Sequence, residues 1–239
     1  MSPEESSGLP VAPGLTLHGR SAYKDVWECQ AKDYASAMQA VAGPASEQDL
    51  DVTGLECIGA LEQTVGVRST DAVLEIGCGI ARVGKPLSSR CLHWFGADIS
   101  PGMLAHARRR LQGCPNTTLV ELATVGLQEF PTGSFDLVYC TVVFMHLFEW
   151  DRYRYVEEAF RVLRPGGRCY FDNLAFDSEQ GWAVFMQGSH YVPDARPAHM
   201  SMCSSREELT VYLSRAGFLD VKIHPVYNGM IAATGLKAL

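Results

Sequence analysis

From Thr70 onward, short apolar runs alternate with helical segments, and no other feature of this chain constrains its fold as strongly. Strands spaced by helices read as a parallel sheet covered on both faces, because each crossover helix must lie against the sheet it connects. The runs cover 72–76, 93–98, 118–122, 135–141, 168–174, 218–224 and 229–234, which makes seven strands. The helices between them are punctuated. Ser100 caps one, with Pro101 at its first position and Gly113 past its end. A helix over 154–163 closes at Pro165-Gly166-Gly167, and the last one starts at Ser205, with Glu208 completing a capping box, and stops at Gly217.

Before Thr70 the pattern is helical. Tyr23, Trp27 and Tyr34 share one face of a helix over 21–42. A second helix opens at Ser46 with a capping box to Asp49, continues through Leu55, Ile58, Leu61 and Val65, and ends at Gly66. The expected organisation is a flexible N-terminus over 1–20, a helical cap or lid over 21–69, and an α/β domain over 70–239. Within that domain, 176–203 holds Trp182, Phe185, Met186, His190 and Tyr191 without periodicity and reads as a binding loop or lid on the substrate side.

Composition narrows the partners. A formal charge of −7 argues against a polyanionic ligand, and the short basic run Arg108-Arg109-Arg110 reads as the last turn of a helix. No nucleic acid is expected. Eight scattered cysteines without CxxC spacing and seven histidines without HxxxH point to a reducing compartment and no metal site. No apolar run is long enough to span a bilayer and no export signal is seen, so a cytoplasmic protein without a membrane partner is expected, as monomer or homodimer.

The chemistry concentrates where the first strand ends, in Val73-Leu74-Glu75-Ile76-Gly77-Cys78-Gly79-Ile80-Ala81-Arg82. Gly77 and Gly79 allow positive φ and leave room for a ligand at the carboxyl end of a strand, where open α/β sheets bind. A dinucleotide motif would need a third glycine at position 82, where Arg82 stands. Asp98 ends the second strand, where a carboxylate can take both hydroxyls of a ribose; alternatively, the glycines make only a tight turn and Asp98 only helps to cap the next helix.

With these pieces in order, followed by Ser134-Phe135-Asp136-Leu137-Val138-Tyr139 and Arg161-Val162-Leu163-Arg164-Pro165-Gly166-Gly167, the chain resembles the class I methyltransferases that use S-adenosylmethionine (SAM). The resemblance spans 72–174. It implies a Rossmann-like, doubly wound, seven-stranded sheet, mostly parallel with the last strand antiparallel, below an N-terminal helical cap. It also implies SAM as cofactor, with its methionine part over Gly77, Cys78 and Gly79, its ribose on Asp98 and its amino group near Glu75. The adenine would lie between Ile99 and Met103 on one side and the loop of Thr124 and Val125 on the other. Many relatives carry an aspartate in that loop, which here reads Ala123-Thr124-Val125-Gly126. Arg82 and Cys140 complete the expected cofactor set, and Tyr23 and Trp27 either fold over it as a lid or are simple core.

The reaction so implied is methyl transfer to a small-molecule acceptor, possible in natural-product chemistry, with oxygen favoured as the nucleophile. Cleavage of another sulfonium bond, releasing methylthioadenosine, is the alternative. His146, just after the fourth strand, is the candidate base or else a packing histidine. Asp172 and Asn173, after the fifth, either orient the acceptor or cap a loop.

Overall fold

Alternate residues of the central strands enter two different cores, which explains why those strands are apolar throughout. Leu74, Ile76, Val138, Cys140 and Phe171 pack into one cluster, and Val73, Leu137, Tyr139 and Tyr170 into another on the opposite face. The computed structural model describes residues 19–43, 46–192 and 195–239. The strands are β1 (Ala72–Ile76), β2 (His93–Asp98), β3 (Thr117–Glu121), β4 (Phe135–Cys140), β5 (Leu163–Leu174), β6 (Leu219–Pro225) and β7 (Met230–Leu236). They form one sheet in the order β3-β2-β1-β4-β5-β7-β6. The pairs from β3 to β5 are parallel, and β7 runs antiparallel to both neighbours. The seven-stranded, doubly wound fold expected from the sequence is the one observed.

The helices among the described residues are α1 (Tyr23–Gln30), α2 (Tyr34–Ala42), α3 (Glu47–Thr64), α4 (Gly84–Ser88), α5 (Pro101–Arg110), α6 (Glu149–Val162), α7 (Glu179–Ser189) and α8 (Arg206–Ala216). Side chains of α3, α4 and α5 cover one face of the sheet, and those of α6 and α8 cover the other. The chain leaves β1 for β2 and β3 on one side and returns to β4 on the other. That reversal opens a crevice at the carboxyl ends of β1 and β4.

Two caps are as the sequence predicts: Ser46 and Asp49 form a reciprocal capping box, and the Ser100 hydroxyl accepts the Met103 N–H. Several expectations fail for tertiary reasons. The helix over 21–42 is two helices, because Asp33 becomes extended and its side chain caps α2 through the Ser36 N–H at 2.8 Å. Helix α6 begins at Glu149 and not at 154; the Tyr23 hydroxyl, far away in sequence, accepts the Phe148 N–H at 3.0 Å and closes its N-terminus. Glu208 gives its carboxylate to Arg152 at 2.9 Å, while Ser205 alone caps α8. The stretch 176–203, read as irregular, contains α7, whose Trp182, Phe185 and Met186 stay exposed and so carry no periodic signature. Leu55 likewise faces outward.

The flexible N-terminus expected over 1–20 lies outside the described residues up to position 18. Arg20 is not loose: it is only 7% exposed and bonds the carbonyls of Met145, Ala198 and Met200. No helix among the described residues is long and apolar enough to cross a membrane.

Candidate active site

The crevice is built from the turn after β1. Gly77 and Cys78 both donate their N–H groups to the Ala97 carbonyl, at 2.8 and 3.0 Å, which ties the turn to the end of β2. Gly77 has φ +68°, and a Cβ there would lie 2.4 Å from Val143, so the chain admits only glycine at this point. Asp98 completes the turn: its carboxylate accepts the Gly79 N–H at 2.8 Å and the Ser100 N–H at 2.9 Å. Both readings of Asp98 are thus compatible, since it holds the loop and still lines the crevice.

The cleft has about 90 Å³ of free volume and is lined by Glu75, Gly77, Cys78, Gly79, Arg82, Asp98, Ile99 and Met103. Tyr23 and Trp27 of α1 line it from above, together with Ala40 and Val41 of α2. Its electrostatics are unusual for a surface crevice. Burial lifts the Glu75 carboxyl to about 8, although the Tyr139 hydroxyl donates to it at 2.5 Å and Arg82 lies near. Burial also lifts Asp98 to about 6, opposed by its backbone hydrogen bonds. Arg82 spends one N–H on the Cys57 sulfur at 3.3 Å and has no ion pair among the described residues.

Helix α1 straddles the cleft and is fastened at both ends. Glu28 accepts the Ser100 hydroxyl at 2.8 Å and the Gly102 N–H at 3.0 Å, at the start of α5. The Tyr23 hydroxyl donates to Asp151 at 2.6 Å, at the start of α6.

Not every candidate residue reaches this cleft. Thr124 is exposed, Val125 packs against the core, and Cys140 is buried in that core. None of the three lines the cleft, because the loop after β3 brings Leu122 to it instead, and α6 adds Tyr155. Tyr155 and Val41 carry no distinguishing sequence signal, since each reads as ordinary helix core.

Asp172 and Asn173 do not face the cleft. Asp172 is buried and accepts the Val142 N–H at 2.7 Å, the Tyr227 hydroxyl at 2.7 Å and the Tyr170 hydroxyl at 3.3 Å. Asn173 donates to Ser204 at 2.7 Å and Met202 at 3.2 Å, and accepts its neighbour's N–H. Their polar atoms are committed to the protein, and neither lines the cleft in which the sequence placed them. His146 sits on a 3-10 turn (Phe144–His146), its ring 4.9 Å from that of Trp27. Nδ1 lies 2.8 Å from the His199 carbonyl, which accepts only, so Nδ1 carries the proton and Nε2 keeps its lone pair. Burial holds the imidazole down at about 4, so it is neutral near pH 7.

Fold and cleft together define an α/β protein with a glycine-floored crevice at the carboxyl edge of its sheet. Residues 74–171 match the family model described as a methyltransferase domain. The malonyl-[acyl-carrier protein] O-methyltransferase of Enterobacter lignolyticus is 29% identical, over 75% of this chain and 68% of that protein. Phosphoethanolamine N-methyltransferase 1 of Arabidopsis thaliana is 27% identical over 56% of this chain, which spans about a quarter of that relative's length (27%). In fold, the chain is similar to the magnesium protoporphyrin IX methyltransferase of Synechocystis, solved with bound S-adenosylhomocysteine (SAH): the TM-score is 0.68 at 14% identity, covering 92% of this chain and 100% of that one. The chain is thus similar to SAM-dependent methyltransferases, through a methyltransferase domain over 74–171 and a shared fold.

Proposed function

We propose that this chain holds SAM in the cleft beneath α1 and transfers its methyl group to a small-molecule acceptor, with an oxygen as nucleophile. One observation carries the reading: two buried carboxyl groups, Glu75 and Asp98, and a guanidinium without an ion pair among the described residues, Arg82, converge on one glycine-floored cleft. These groups match the polar ends of the cofactor. Asp98 takes the ribose hydroxyls, Glu75 the amino group and Arg82 the carboxylate, while Ile99, Met103, Leu122 and Tyr155 supply apolar surface for the adenine. Gly77 and Gly79 let the backbone approach closely.

The sulfonium supplies an electrophilic methyl carbon, so the protein's own contribution is placement and dryness. Trp27 and Tyr23 exclude water from above the cleft. The free volume of about 90 Å³ lies well below the roughly 300–1,000 Å³ of typical ligand pockets, so α1 must lift to admit a nucleoside. His146, neutral and with a free Nε2 lone pair, is the group available to take the proton of an acceptor hydroxyl, and this favours oxygen.

The test is mass spectrometry of the nucleoside products formed from SAM, with and without a pool of candidate acceptors. Acceptor-dependent SAH, with a matching mass gain on one acceptor, supports the proposal. Methylthioadenosine above the enzyme-free control overturns it in favour of cleavage at another sulfonium bond.

A further inference from the structure

Beneath α7 lies a second cavity of about 600 Å³ that shares no lining residue with the cofactor cleft. Its apolar wall is rich in aromatic and sulfur side chains, from Phe148, Phe176, Phe185, Met200 and Met202. Among the described residues its charged lining is cationic, contributed by Arg20 and Arg196, in a chain whose overall charge is −7.

Arg20 is a buried charge without an ion-pair partner among the described residues. It sits 5.6 Å from the Phe148 ring, satisfies its terminal nitrogens on three backbone carbonyls, and leaves its buried Nε without a partner. Carbonyl dipoles satisfy donors but do not neutralise them, and neither Arg20 nor Arg196 joins an ion pair among the described residues.

A chain of contacts links the cavity to the cofactor cleft. The Met145 carbonyl accepts Arg20 and the Met202 N–H, each at 2.8 Å, and His146 bonds the His199 carbonyl, so the turn carrying His146 is tied to the segment that walls the cavity. The other side of that histidine meets Trp27, which lines the cofactor cleft.

We infer that this cavity is the acceptor's chamber and that it selects an aromatic molecule carrying a carboxylate. The ring packs among Phe148, Phe176 and Phe185, and the carboxylate supplies the charge that Arg20 and Arg196 lack. The inference rests on the methyl-transfer reading and adds the substrate class to it.

The experiment is calorimetric titration of the full chain, first with SAH, then, SAH-saturated, with cinnamate and with its neutral counterpart cinnamyl alcohol. Cinnamate is expected to bind about tenfold more tightly than the alcohol, the difference made by one charge-assisted hydrogen bond. Arg196→Gln, at an exposed position, should remove that difference by weakening cinnamate alone. Arg20→Gln is not the variant of choice, because Arg20 also ties down three carbonyls. Val184→Trp, which fills the cavity, should abolish binding of both while sparing SAH affinity. A chain that binds SAH but binds neither ligand, or both equally, overturns this inference alone, as does cinnamate binding that survives Val184→Trp. A chain that does not bind SAH overturns the methyl-transfer reading and this inference with it.

Discussion

The Asp172 carboxylate accepts the Val142 N–H at 2.7 Å, and Val142 has φ +60°, a conformation that a β-branched residue rarely adopts. Val142 lines the cleft, so a buried aspartate on β5 fixes one wall of a cleft it does not itself line. Asp172→Ala leaves that N–H and the Tyr227 hydroxyl without their acceptor. It should lower stability by about 1–3 kcal/mol in urea unfolding and weaken SAH binding in the same variant.

Asp98→Asn keeps an acceptor for one loop N–H but loses the charge. SAH affinity should fall by at least about tenfold by calorimetry, alongside a loss of about 1–3 kcal/mol in stability from setting an amide NH2 against the second loop N–H. Unchanged affinity rejects the ribose assignment.

The Glu75 carboxyl titrates at about 8 in the folded chain, against an ordinary value near 4.5. Between those values the native state holds a proton that the unfolded state has lost, so stability falls as pH rises through this window and levels off above 8. Melting temperatures recorded from pH 6 to 9 should decline, and Glu75→Gln should flatten that decline. Asp98 and Asp172, both lifted to about 6, act in the same direction at lower pH.

Removing one fastening of α1 should open the cleft. Glu28→Ala loses the contacts to Ser100 and Gly102, and stopped-flow should then find SAH dissociating several-fold faster, the effect of about 1 kcal/mol of lost hydrogen bonding. Identical rates separate α1 from cofactor exchange.

His146→Ala should reduce turnover by about a hundredfold or more while SAH affinity holds. Because the imidazole is neutral above about pH 4, the wild-type rate should show no histidine-like break between pH 6 and 7. Full activity in the variant retires it as the base.

The glycine turn, Asp98 and the Ser46 and Ser100 caps were legible because each is a local device whose partners lie within a few residues or in the neighbouring strand. Tyr155, Val41 and Leu122 were not, since apolar residues of helices and strand ends look alike until tertiary packing selects those that border a cleft. Asp172 and Asn173 misled for the converse reason. Polar residues at a strand's end suggest a site, but hydroxyls brought in from Ser204 and Tyr227 consumed them.

Trp27 faces SAM's cleft and touches His146 on the turn tied to the second cavity's wall. With donor and acceptor placed as proposed, this relay of contacts makes the contents of the two chambers interdependent: whatever lifts α1 shifts Trp27 off the histidine and so disturbs the turn tied to the second cavity's wall. On that placement the expected kinetic sequence is donor first and acceptor second.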